Sequence, residues 1–114
     1  MLASDTRPRM FGEEGLWRYK RGVALRALGR FAKARADLEF AQANKTKPWI
    51  KGRALLELGV VADLRQQREQ AVARYEAARA VCRAAGDRIC ADEANRLRRT
   101  PFRNRTSLET VSSR

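Results

Sequence analysis

The chain has 114 residues and a mass of 13.0 kDa, enough for one domain, since domains commonly run about 50–200 residues. Its apolar fraction of 44% is rich in alanine, which favours helix more than any other residue and buries little surface, so closely packed helices suit it better than a thick core. The formal charge is +12 and the chain holds no histidine, which removes the commonest general base and the commonest transition-metal ligand and so excludes His-based triads and His/Cys metal clusters.

Residues 1–12 carry Pro8 and no period and read as a loose lead-in. They lack the continuous apolar core of a secretory signal, and no apolar run along the chain approaches spanning length, so a soluble, cytoplasmic protein without a membrane span is expected. Helix one is expected at about 13–28, with Glu13 and Glu14 at the positive end of the helix dipole, Leu16, Tyr19 and Val23 on one face, and Gly29 as terminator. Helix two, about 31–44, carries Phe31, Ala34, Leu38 and Ala41 in one row and stops before Pro48, which is suited to the first turn of the next helix. Helix three, about 48–65, is apolar on two sides, through Leu55, Leu58 and Ala62 and through Leu56, Val60 and Leu64, and should lie between neighbours. Helix four, about 68–85, aligns Ala71, Tyr75, Ala78 and Cys82 and closes at Gly86. Asp87 is placed to cap a fifth helix over about 87–99, whose face is Cys90, Ala94 and Leu97 and whose end is set by Thr100-Pro101. The remainder, 100–114, is polar and basic and is expected to be disordered.

The chain also matches itself at an offset of 37 residues, from Ala34, Leu38 and Ala41 to Ala71, Tyr75 and Ala78 and from Gly22 to Gly59. A helix-turn-helix unit with that period is a helical repeat, in which small residues let two helices approach and a bulky residue of one fills the space beside the glycine of the other. Repeat two carries Leu58-Gly59, Ala71, Tyr75 and Ala78, with Leu55 and Ala62 flanking. Repeat one carries Gly22, Leu25, Gly29, Phe31, Ala34, Leu38 and Ala41. On these residues the stretch 13–99 resembles the tetratricopeptide repeat family, in which a Leu-Gly pair in the first helix faces Ala-x3-aromatic in the second. Departures are Arg18 and Arg21 at sites that are usually apolar, Gln66 where a turn glycine is common, and the lack of a proline at the expected end of repeat two.

The resemblance implies an all-α right-handed superhelical stack of two αα-hairpins, at about 15–48 and 52–85, closed by a capping helix at 87–99 like the C-terminal end of such an array. Two repeats are fewer than the roughly three usually needed for independent stability. The chain is therefore expected either to end a longer array or to self-associate through Leu16, Trp17 and Tyr19. The resemblance further implies a non-catalytic module whose first helices line a concave groove, here Leu16, Tyr19, Val23 and Arg26, then Arg53, Leu56, Val60 and Asp63. The partner would be a peptide or helical segment of another protein with some acidic character, and charge reversal at Arg26 and Arg53 should weaken it.

Three other features complete the reading. Asp37 and Glu39, the candidate acids, stand two apart on a helix and do not converge. Cys82 and Cys90 flank Gly86 at four residues each way, so a hairpin there would bring them together, either as small buried thiols or as a disulfide, according to compartment. Neither a metal nor a cofactor is expected. Nucleic acid or another polyanion is the rival partner, through Arg98, Arg99, Arg103 and Arg105, although the 25 basic residues are spread along the chain and Phe102 is the one aromatic beside that cluster.

Overall fold

The structure, a computed structural model, describes residues 13–43 and 45–103. Within them the protein is all-α, with α1 at Glu13–Ala27, α2 at Phe31–Ala43, α3 at Pro48–Leu64, α4 at Arg68–Ala84 and α5 at Arg88–Arg99. The lead-in over 1–12, Arg105 and the tail beyond residue 103 lie outside the described residues. Among the described residues no helix is long and apolar enough to cross a membrane.

Three of the turns end their helices by one device. The N–H of Arg30 donates to the Leu25 carbonyl, that of Gln67 to Ala62 and that of Asp87 to Cys82, at 2.8–2.9 Å. This six-to-one bond satisfies carbonyls the helix end leaves free, and it requires a left-handed residue just past the helix. Gly29 at φ 80° and Gly86 at φ 77° take that conformation without a side-chain penalty, but the second hairpin uses Gln66 at φ 63°. The missing turn glycine is thus a real departure in residue type and none in backbone. Gln66→Gly should raise the unfolding free energy by about 0.5–1 kcal/mol, because the relief of left-handed strain exceeds the added freedom of the unfolded chain. A rise in urea midpoint with unchanged slope checks it, and an unchanged or lowered midpoint refutes it.

Consecutive helices pack against each other, and α3 touches all four others, including α1 and α5. Thus α2 lies against α1 and α3, and α4 against α3 and α5, with α3 common to both groups. The expected close approaches are present in both hairpins. A Cβ on Gly22 would lie 2.7 Å from Leu38 Cγ, and one on Gly59 would lie 2.6 Å from Tyr75 Cδ1, so each glycine admits the bulky residue of the facing helix. Gly52 makes the same kind of space for Cys82, and Gly15 for Thr46. The core follows the predicted rows, with Ala34, Leu38, Ala41, Ala71, Tyr75, Ala78 and Cys82 all at 0% exposure.

The arginines at usually apolar positions have a partner that the spacing alone does not reveal. Arg21 donates from Nε to Asp37 Oδ2 at 2.6 Å and from a terminal nitrogen to Oδ1 at 2.8 Å, and Arg18 adds a bond at 3.3 Å. Asp37 is buried on the packed side of α2, so two cations from α1 neutralise one buried anion. The hydrocarbon and guanidinium of Arg18 also cover the Phe40 ring at 4.3 Å, while Arg21 covers Trp17 at 4.4 Å. At the corresponding place the second hairpin uses Leu55 and Leu58. The first hairpin therefore replaces apolar packing by an ion-paired seam.

The turn between α4 and α5 brings Cys82 and Cys90 to a Cα separation of 5.9 Å, and they form a disulfide. Of the two alternatives that the sequence leaves open, the bridge is the one present. Asp87 caps α5 as expected, its Oδ1 accepting from the Cys90 N–H at 3.2 Å.

Candidate partner-binding face

The residues expected to line a groove all fall on α1 and α3, but they divide into two groups with different surroundings. Leu16 and Tyr19 pack against the cluster around Leu38 and Leu55. Tyr19 meets Trp49 edge to face, with centroids 6.5 Å apart and planes at 82°. Arg53 lies beside the Tyr19 hydroxyl, and the phenol titrates above its ordinary value, chiefly because burial disfavours the phenolate and then because Glu57 repels it. Val23 is half-buried on α1.

The basic points are not free. Arg53 grips Asp87 with two bonds, from Nε at 2.7 Å and a terminal nitrogen at 3.0 Å. Arg26 bonds Glu57, from Nε at 3.0 Å. Arg53 thus ties α3 to the start of α5, and Arg26 ties α1 to α3. Reversing either charge would set a glutamate against an existing carboxylate, so those positions report on packing as well as on binding. Glu57 and Trp49 were not expected at this face. The bonding spans 31 positions for Arg26 and Glu57 and 34 for Arg53 and Asp87, distances over which helical spacing gives no signal.

The ion pairs also set the acid limb of stability. The Arg21 hydrogen bonds hold the Asp37 carboxyl below the usual carboxylate range against the opposing effect of burial, and Arg53 does the same for Asp87, aided by the Cys90 N–H. A carboxyl depressed in the folded state contributes stability above its unfolded value of about 4 and loses it as pH falls through the folded value. Urea midpoints should be level from neutrality down to about pH 5 and fall steadily below about pH 4. For Asp87→Asn the fall should be shallower, and an equal fall in both chains would refute the assignment.

The far end of the face is closed. Val60 and Asp63 are 3% and 9% exposed, because the chain beyond α5 turns across them. Thr100 is extended, with φ −127° and ψ 121°, and Pro101 cannot continue the helix. The Phe102 N–H donates to Asp63 Oδ2 at 2.9 Å, its ring packs on the Val60, Tyr75 and Leu97 cluster, and Arg26 lies 5.3 Å from the ring centroid. The tail, expected to be loose from residue 100, is therefore held as far as Phe102. The aromatic side chain of that stretch finds a seat, and its amide finds a buried acceptor.

Asp63 is the hub of that end. Its carboxylate accepts the Tyr75 hydroxyl at 2.7 Å and two bonds from Arg68 at 3.0 and 3.1 Å. Arg68 in turn donates to the last-turn carbonyls of Leu97 and Arg98, both at 2.9 Å. Asp63 was expected as a groove edge open to a partner, whereas it joins α3, α4, α5 and the segment after α5.

The rival basic surface lies elsewhere. Arg79 and Arg83 of α4 and Arg88 of α5 line an open cleft of about 380 Å³ with Asp87, Asp92 and Asn95. Arg98 donates to Asn95 at 2.9 Å, and Arg99 and Arg103 are exposed. Asp37 and Glu39 do not share a site, since Glu39 pairs with Arg35 and Arg74. The Cys82, Asp87 and Cys90 donor atoms lie within 4.8 Å of one another, but both sulfurs are in the disulfide and the carboxylate is already bonded by Arg53.

No family model, curated protein or solved structure matches this chain.

Proposed function

We propose that the chain is a non-catalytic interaction or assembly module of tetratricopeptide-like hairpins, which binds a peptide or helical segment of another protein in a concave groove on the α1, α3 and α5 side. The observation that carries this reading is the repetition in space of what repeats in sequence. Gly22 against Leu38 and Gly59 against Tyr75, and the left-handed residues Gly29 and Gln66, stand at the same 37-residue offset. Two like hairpins stacked with α1 beside α3 and α3 beside α5 present their first helices to one side, and a row of helices is suited to a segment lying across it. The acids Asp37, Asp63 and Asp87 are each committed to arginine, which leaves them as structural anions and supports a role without catalysis. A partner with acidic character remains part of the proposal, because Lys20, Lys51 and Arg30 are exposed on a chain of formal charge +12. So does pairing with a second copy through Trp17, 43% exposed on α1. A cytoplasmic location belongs to the same reading. There the Cys82 to Cys90 bond would face a reducing thiol pool, and its burial beneath α3 limits access to it.

Capture from an extract of the source cells tests the reading. A protein retained by the wild-type chain at moderate salt should be lost with Val23→Glu, on the proposed face, and kept with Lys33→Glu, on the exposed side of α2, with both variants checked for helical content. Equal retention by all three chains refutes the face. A second reading, polyanion binding, is favoured by the arginine cleft between α4 and α5. Retained material that nuclease releases, and that Arg79→Ala together with Arg83→Ala abolishes, would select it, since such binding rests on phosphate neutralisation and falls steeply with salt.

A further inference from the structure

We propose that Thr100–Arg103 is a built-in occupant of the α1/α3 face and that a partner is recognised through the same seat, by an extended segment that places an aromatic side chain where Phe102 now lies. This deepens the protein-binding reading above and rests on it.

The seat is built by residues from three helices. Asp63 at the end of α3 accepts the main-chain N–H of Phe102. Arg26 at the end of α1 covers the ring, and Val60 of α3 with Leu97 of α5 forms its floor, with Leu56 and Leu64 packed alongside. The occupant has the form of a peptide ligand. It is extended at Thr100, held out of the helix by Pro101, and crosses from α5 over α3 toward α1, with Arg103 exposed beyond the seat. One main-chain bond gives such a segment its register and one aromatic anchor gives it most of its affinity, as in recognition of extended peptides.

The seat also stays formed when it is empty. Asp63 keeps Tyr75 and Arg68 as partners, and Arg26 keeps Glu57. Leaving therefore strands no buried charge, and the site is preorganised for a replacement. Segment 100–103 has the advantage of its tether, equivalent to roughly millimolar ligand. A displacing partner must make further contacts, and the half-buried Val23 and Tyr19 lie along α1 from Arg26 to provide them. The partner is thus an extended segment with a proline-aromatic pair and apolar residues after it.

The probe is a capped peptide of sequence Arg-Thr-Pro-Phe-Arg, copying residues 99–103, titrated by NMR into the full chain and into full-chain Phe102→Ala. The Val60 methyl and Arg26 Nε signals should shift with peptide in Phe102→Ala, and at least ~10-fold more peptide should be needed in the wild type, where the tethered copy competes. The peptide with alanine for phenylalanine should leave both unchanged. Equal uptake by the two chains overturns the idea of a built-in occupant, and no uptake by a Phe102→Ala chain that keeps its helical spectrum overturns the seat. Hydrogen exchange on the wild type gives a test that needs no variant. The Phe102 amide should exchange by a local opening while Tyr75 stays protected, and protection equal to that of Tyr75 would make the segment a part of the core and overturn the proposal. A sedimentation change from dimer to monomer in Phe102→Ala would assign the contact to a second copy and also overturn it. Loss of partner with Val23→Glu but no peptide uptake removes the seat alone, whereas uptake of peptide with capture unaffected by Val23→Glu removes the protein-binding face.

Discussion

Gly59→Ala is expected to destabilise the protein, lowering its urea midpoint below that of the wild type. A Cβ at residue 59 would stand 2.6 Å from Cδ1 and 2.9 Å from Cζ of Tyr75, well inside contact distance. The ring has no room to move, being 0% exposed, and its hydroxyl is pinned by Asp63 at 2.7 Å. The helices must separate instead, breaking the packing of α3 on α4, the most extensive among the described residues. Overpacking of this kind costs about 1–3 kcal/mol and sometimes more, against a helix-propensity gain of at most about 1 kcal/mol from alanine, so the clash decides the sign. Gly22→Ala is the internal control. Its Cβ would meet the branched end of Leu38, a side chain as deeply buried but not pinned by a hydrogen bond as Tyr75 is, so its urea midpoint should fall less. A Gly59→Ala midpoint equal to wild type would mean that α3 and α4 are not packed as described.

Asp63→Ala should be more damaging, for a different reason. It removes the acceptor shared by the Tyr75 hydroxyl, Arg68 and the Phe102 N–H, leaving a buried phenol and a part-buried guanidinium without their anion. Breaking a buried ion pair from one side costs about 3–5 kcal/mol, a large part of the about 5–15 kcal/mol of a typical domain. Asp63→Asn keeps oxygen and nitrogen in place of the two oxygens and should recover part of the loss. The same charge holds the Tyr75 phenol well above its ordinary value, after burial, which is the larger cause. The Tyr75 absorbance should therefore show no ionisation in the folded protein through pH 11 or so. Thermal melts of the two variants separate the effects, and an Asp63→Ala chain within about 1 kcal/mol of wild type would refute the hub.

Much of the fold was legible because its signals are local. Five helices were expected within one or two residues of where they lie, since the spacing of Ala34, Leu38 and Ala41, the glycines at 29 and 86 and the prolines at 48 and 101 act within a turn of the chain. Asp87 as a cap belongs to the same class. The sequence was less informative wherever two distant side chains settle each other's role. Arg18 and Arg21 looked like flaws in an apolar row until Asp37 supplied their counter-charge across the hairpin. Arg26 and Arg53 looked like free basic points, but Glu57 and Asp87 occupy them. The disulfide could be seen as an approach of two cysteines around Gly86 and not as a bond. Phe102 has one available clue, a lone aromatic behind a proline in a polar stretch, and nothing in that clue distinguishes an aromatic beside an arginine cluster from the residue that packs over Val60 and Leu97. Val60 and Asp63, expected at an open groove edge, lie on α3 but are buried, because the segment that covers them is 39 positions away from Asp63.

Site-resolved photocrosslinking in the source cells tests the central claim most directly. p-Benzoylphenylalanine is placed at Val23 on α1 and, as a control, at Ala80 on the exposed side of α4. The account predicts a crosslinked protein from position 23, absent from position 80 and persisting at roughly 0.5 M salt, where screening has shortened the reach of surface charge to a few ångströms. Crosslinking that is stronger from position 80, or that at position 23 disappears with salt or captures nucleic acid, would contradict it.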